Sequence, residues 1–408
     1  MRYLIAVFLL VEFSFASNLQ TLLNRASKYN DIIKANKINA ASTQKSIDSI
    51  NKSYYPTIDI GVAAQDSNPR ALMRPGITYK AFVKLNYLIY DGGVKKYNKR
   101  AKRYELSSIR NSAKEYKESL YVQIMQDFFA LASLQELIKA LEFKKEALLA
   151  QYKKIKAFRD AEIVGDVELY QLESALENVK YNLNSLDFQK KSLLMQLSLK
   201  VGKKVRKISP SHFRKTKVSF NPNATIASLK AKRASILANA KAIAAANNAK
   251  VNLSLEHNRF GYDRYDKLHP KGLSEQTNIA LSATKRLYDG GATKKKAQAI
   301  KLQALSLEYK IKNALKSQKM QFNLAKLRIK NMRAQIKSAK SALVAAKKNY
   351  EANLKKYNAG IIDSSEYLDA LSNFAQAKAN YKKALNDLEV AYGLYYFNAG
   401  KNIKRYLK

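Results

Sequence analysis

LIYDGG at 88–93 returns as RLYDGG at 286–291, placing Asp91 and Asp289 198 residues apart. The same step carries Ala161-Glu162-Ile163-Val164 onto Ala359-Gly360-Ile361-Ile362, and Glu168 onto Glu366, with no net insertion or deletion between the landmarks. An internal repeat has to be settled before any fold is considered. The 408-residue chain is therefore two copies of one plan, and whatever one half becomes, the other must match.

Each half opens on a helical pattern, Leu19 to about Lys52 and Pro222 to about Asn248, the second started by Asn221 as a cap and Pro222 at the first helical position. A pair of strands follows. Ile58, Ile60, Val62 and Ala64 alternate with Thr57, Asp59, Gly61 and Ala63, and the partner sets Ala81, Val83, Leu85, Tyr87 and Ile89 against Lys80, Lys84 and Asn86. The second half does the same with Val251, Leu253 and Leu255, then Ile279, Leu281 and Ala283. A period of two marks strands with one apolar and one polar face. Their length, about 9 to 12 residues, suits strands that cross a bilayer in a barrel, apolar toward lipid and polar toward the lumen.

Beyond each Asp-Gly-Gly the period changes from two to that of helices packed side by side. Ala297, Ile300, Ala304, Leu307, Ile311 and Ala314 step by three and four, as do Ile138, Leu141, Leu148, Tyr152 and Ile155. As one helix, residues 94–158 would extend about 100 Å at 1.5 Å per residue. A hairpin reading of Asp-Gly requires a strand after it, and no Walker or dinucleotide spacing supports a phosphate cradle. The motif is expected to be mechanical: Asp91 and Asp289 cap the incoming helices, while Gly92, Gly93, Gly290 and Gly291 permit the change of direction.

Composition removes several functions. Arg2, the apolar run 3–11 and Ser14-Phe15-Ala16 form a signal segment over 1–16, too short to span a bilayer. With no Cys there is no lipoprotein anchor, disulfide or thiolate metal site. His257 and His269 lie in an expected loop without ligand spacing, and His212 has no catalytic partner, so neither enzyme, metal nor cofactor is implied. The net charge of +42 is mostly Lys spread along the helical tracts, which speaks to solvated faces and, behind a signal segment, against nucleic acid.

The signal segment, the duplicated helix-strand-strand-helix-helix halves, the strands ending in Tyr-Asp-Gly-Gly and the Ala-Gly-Ile turn at 359–361 resemble the TolC family of outer-membrane efflux proteins. That resemblance covers nearly all the mature chain. It implies a mainly α fold with transmembrane β: a homotrimer, each protomer giving four strands to one twelve-stranded barrel continued by a periplasmic helical barrel. Open edges are not tolerated in lipid, so four strands alone are incomplete.

The expected layout is a first repeat over 17–200 with strands near 56–65 and 78–90 and a helical tip near 159–166. A basic linker at 201–221 follows, then a second repeat over 222–399 with strands near 250–258 and 277–288 and a tip near 358–365, and a tail at 400–408. The resemblance makes Ala161, Ile163 and Val164, with Ala359, Gly360 and Ile361, contacts for a periplasmic adaptor (membrane fusion) protein, although Glu162 stands where the family has Gly. It makes Glu366 and Asp369, three apart on one helix face, with Glu168, an acidic periplasmic gate; Ile362 stands where the family carries a basic residue. The function implied is an outer-membrane exit duct for a tripartite efflux or type I secretion system, served by an inner-membrane pump. A secreted or periplasmic coiled-coil protein binding polyanions is the alternative; it leaves the strands and the repeated turn unexplained.

Overall fold

A computed structural model describes residues 16–68, 76–163, 165–262 and 274–408. Apart from Ala16, the expected signal segment lies outside these residues, as do His269 and Val164. The order is α1 (Leu19–Tyr29), α2 (Asp31–Lys52), β1 (Thr57–Asp66), β2 (Ile77–Tyr90), α3 (Val94–Asp160), α4 (Asp166–Val201), α5 (Ala224–Ala244), β3 (Lys250–Tyr262), β4 (Glu275–Thr284), α6 (Ala292–Asn358) and α7 (Ser364–Asn398). The chain forms two units. One holds Lys37–Asn111 and Thr225–Asn313; the other holds Ser112–Ala224 and Ala314–Lys408 with the chain up to Asn36.

The first unit contains an antiparallel sheet in the order β1-β2-β3-β4. Its register puts Ile58, Leu85, Leu255 and Ile279 in one row across all four strands, and Asp59, Lys84, Glu256 and Asn278 in a row on the opposite face. Lys80 and Lys84 flank Glu256 at 2.6 and 3.8 Å on that polar face. Among the described residues nothing covers the apolar face: Ile60 and Val62 are 80% and 86% exposed. Beside the sheet α3 meets α5 through small residues, where Ser108 and Ser228 bond each other at 3.0 Å and Ser235 donates to the Ala101 carbonyl at 2.8 Å.

Several boundaries differ from the sequence expectation. The first helix is broken at Asn30, whose backbone is extended and whose Oδ1 accepts from Ile33 N, so one residue ends α1 and caps α2. α5 starts at Ala224 rather than Pro222, and the segment before it is tied elsewhere: Asn221 N donates to the Ala399 carbonyl and Asn223 N to Gln318 Oε1. β4 ends at Thr284, four residues before the expected end. β3 continues to Tyr262, so His257 is a strand residue bonded to Thr277 across the ladder at 2.9 Å rather than a loop residue.

In both strand-to-helix turns one carboxylate serves two backbone donors. Asp91 accepts from Gly93 N and Lys95 N, and Asp289 accepts from Gly291 N and Thr293 N, each of the latter at 3.0 Å. Asn247 donates to Asp289 at 2.9 Å; this bond first, then those from Thr293, holds the Asp289 carboxyl well below the usual carboxylate range. All four glycines have φ between 63° and 91°. The copies differ in their surroundings: a Cβ on Gly92 would sit 2.7 Å from Asn248 Cβ, whereas one on Gly290 would meet nothing within 4 Å.

In the second unit α3, α4, α6 and α7 pack through heptad seams, with Leu148, Ile155, Leu169, Leu172, Leu176, Tyr357, Tyr367 and Leu371 in one cluster. A larger cluster joins α1, the middle of α3 and the end of α7. Linker and tail close over it: Arg214 N donates to Tyr406 O, Lys408 N to His212 O, and the buried Glu389 accepts from Phe213 N at 2.7 Å.

The two turns give a differential prediction. Gly290→Ala is expected to cost about 1 kcal/mol from left-handed backbone alone, and Gly92→Ala clearly more, because its methyl also meets backbone and Asn248. Thermal unfolding of the two variants, followed by circular dichroism in detergent, checks the order.

Candidate functional site: the helical tips

Both tips end their helices in the same hydrogen-bond pattern. Ile163 N reaches back to Phe158 O and Ile361 N to Lys356 O, each at 2.9 Å, the six-residue closure that stops a helix on a left-handed residue. That residue is Gly360 at φ 72° in the second tip and Glu162 at φ 58° in the first. The sequence departs from Gly at 162 and the backbone does not follow, so Glu162 is held where L side chains are disfavoured. Ile163 and Ile361 stand beside these residues and are 69% and 71% exposed.

The next helices begin differently, α7 under a side-chain cap and α4 without one. Asp363 Oδ1 accepts from Glu366 N at 3.0 Å to start α7, and Asp166 at the start of α4 faces Arg159 at 3.4 Å. Two side-chain bonds then tie the first tip to the second: Tyr357 OH donates to Glu168 Oε1 at 2.6 Å, and Ser364 Oγ donates to Gln171 Oε1 at 2.6 Å. Tyr357 stacks on the fully buried Tyr367 at 4.9 Å between ring centroids. Burial first, then the Glu168 contact, drives the Tyr357 hydroxyl far above its ordinary pKa, so it stays a donor to the carboxylate. Between the tips is a cleft of about 500 Å³ bordered by Lys154, Phe158, Gln171, Tyr357, Asn358 and Asp363.

The three acidic residues expected at a gate are therefore not equivalent. Glu366 and Asp369 are exposed on α7, whereas Glu168 is half-buried and engaged by Tyr357. Sequence reasoning missed Tyr357, although it lies three residues before Gly360 at the end of a heptad seam. It also missed a second seam on α4. Leu169, Leu172, Leu176 and Val179 are buried within the unit. On another face Val167, Ser174, Tyr181, Phe188 and Met195 recur every seven residues, and the four apolar members are 71 to 75% exposed.

Among the described residues no helix is long and apolar enough to cross a membrane, and no cluster of His, Asp and Glu has the makings of a metal site.

The profile of the outer membrane efflux protein family matches residues 220–392. No curated protein matches the sequence. Solved structures do match in fold. The Campylobacter jejuni CmeC outer membrane channel aligns at 18% identity with a TM-score of 0.79, over 94% of this chain and 85% of that one. The outer membrane protein VceC of Vibrio cholerae aligns at 12% identity and 0.79, over 94% and 96%. The Neisseria gonorrhoeae MtrE outer membrane channel, solved in its open state, aligns at 15% and 0.77, over 95% and 90%. These neighbours are channels rather than enzymes. The match to the outer membrane efflux protein family thus lies in the second half of the chain, and the fold shared with these solved structures runs along nearly its whole length.

Proposed function

We propose that the chain is one of three identical protomers of an outer-membrane exit duct, with its sheet in the bilayer and its long helices in the periplasm. The observation that carries this is the second heptad seam on α4. A helix in a simple hairpin needs one apolar seam; a helix with two on different faces has a neighbour on each side, the condition of a closed ring. The sheet makes the same demand, since β1 and β4 each have one unpaired edge beneath an apolar outer face. Four strands per protomer, with the family resemblance, support twelve strands and threefold symmetry.

Within this reading the exposed tip residues Ala161, Ile163, Ala359, Gly360 and Ile361 receive a periplasmic adaptor, which couples the duct to an inner-membrane pump in a tripartite efflux or type I secretion system. Val164 lies outside the described residues but belongs to the same turn in sequence. The Tyr357–Glu168 and Ser364–Gln171 bonds support a resting tip in which the two helix pairs of a protomer are fastened together. Opening then requires these bonds to part, while Glu366 and Asp369, gathered by threefold symmetry, present carboxylates to passing ions.

Purified wild-type protein is expected to need detergent, to run as a trimer and to open cation-preferring channels in a planar bilayer. A monodisperse, water-soluble monomer would overturn the proposal. Phe188→Glu should shift the detergent-solubilised trimer toward monomer in light scattering, whereas the same change at a site already in the buried seam, Leu172→Glu, should unfold the helices as well. Tyr357→Phe combined with Glu168→Gln should enlarge single-channel conductance without lowering helical content. Glu162→Gly, which removes the left-handed cost of about 1 kcal/mol, should raise the thermal midpoint, while Gly360→Glu should lower it.

A further inference from the structure

We propose that Lys144 on α3 is a built-in counter-cation for the gate carboxylate Asp369, setting how strongly the acidic ring holds cations; this rests on the reading of Glu366 and Asp369 as the gate. Lys144 is partly buried, and its Nζ donates to Ser372 Oγ at 2.7 Å. The Ser372 hydroxyl hydrogen is committed to the Leu368 carbonyl, also at 2.7 Å, which leaves its oxygen turned to accept from the ammonium. Ser372 stands three residues after Asp369, so the two share one face of α7.

Lys144 adjoins an aromatic cluster in the chain. Its neighbour Phe143 packs edge-on against Tyr350 and Phe374 at 6.1 and 5.7 Å, and Tyr350 and Phe374 stack on each other at 5.3 Å. Lys378 lies over the Phe143 ring at 5.2 Å. Burial lowers the Lys144 pKa and the Asp369 charge works against that shift, so each charge is felt by the other. Among the described residues Asp369 forms no ion pair, so Lys144 acts on it through the field and not by direct contact.

The arrangement also accounts for Ile362, an apolar residue where the sequence resemblance leads one to expect a basic tip. The positive charge is supplied instead from α3, fixed by Ser372, ten residues beyond Ile362, rather than by a loop. Of the two exposed gate acids only Glu366 then remains uncompensated.

Reversal potentials under a potassium chloride gradient, with block by magnesium, test this in wild type, Lys144→Gln, Lys144→Arg, Asp369→Asn and Lys144→Gln/Asp369→Asn. Lys144→Gln should raise the cation-over-anion permeability ratio and tighten magnesium block by roughly threefold, the scale of one unit charge several ångströms away in water. Lys144→Arg should stay near wild type, and in the Asp369→Asn background the change at 144 should have no effect. An equal shift in both backgrounds would show a general field rather than a pairing and overturn the inference. So would wild-type channels whose selectivity ignores residue 144. A wild type that forms no channel would instead overturn the duct reading itself.

Discussion

A four-stranded sheet in lipid has two rows of backbone N–H and C=O groups with nowhere to go, because the hydrocarbon offers no water to replace a missing strand. In the proposed duct β1 and β4 are those rows, and the register fixes the two faces between them: Ile58, Leu85, Leu255 and Ile279 on one, Asp59, Lys84, Glu256 and Asn278 on the other. A slip of one residue would exchange the two faces. In the proposed duct the protomer is thus completed by other copies of itself. The second seam of α4 poses in water the question that the sheet edges pose in lipid, and a ring of protomers answers both.

Strand and helix are joined where neither period can continue. An aspartate followed by two left-handed glycines fits that junction because each polar group has an assigned partner: one carboxylate oxygen takes the second glycine N–H, the other the helix N–H two residues on. The first turn is also locked from outside, since Asn248 donates to the Gly92 carbonyl and packs where a Cβ would fall. Around Gly290 there is space. Equal sequence has therefore produced equal geometry in unequal surroundings, and tolerance to substitution should differ although the motif does not.

Much of this was legible in the sequence because it depends on period. The alternation of Ile58, Ile60 and Val62, the three-and-four steps through Ala304 and Ile311, and the 198-residue offset are statements about faces, which burial alone sets. What escaped depends on contacts between distant segments. Asn30 breaks the first helix partly because its side chain donates to the carbonyl of Lys200, 170 residues away. β4 stops early and α5 starts late for reasons local propensity does not contain. Tyr357 owes its role to the bond from its hydroxyl to Glu168, 189 residues away in the chain, which no local pattern contains. The exposed seam of α4 is a different case. Its seven-residue recurrence was readable, and it went unnoticed because the buried seam two residues away already explained the helix.

The charge is less uniform than the total of +42 suggests. α6 carries 18 basic and two acidic residues, whereas α4 and α7 each carry one more acidic than basic residue. The proposed gate acids thus stand on one of the least positive helices, with Glu366 in the first turn of α7, where unpaired N–H groups and the helix dipole favour negative charge. At physiological ionic strength exposed charges are largely screened beyond about 8 Å. The lysines of α6 therefore act on a distant permeating ion only weakly, whatever their number. At the proposed gate the groups that matter for selectivity are therefore the local ones, the first-turn carboxylate of α7 and the lysine bonded to Ser372, and not the net charge of the chain.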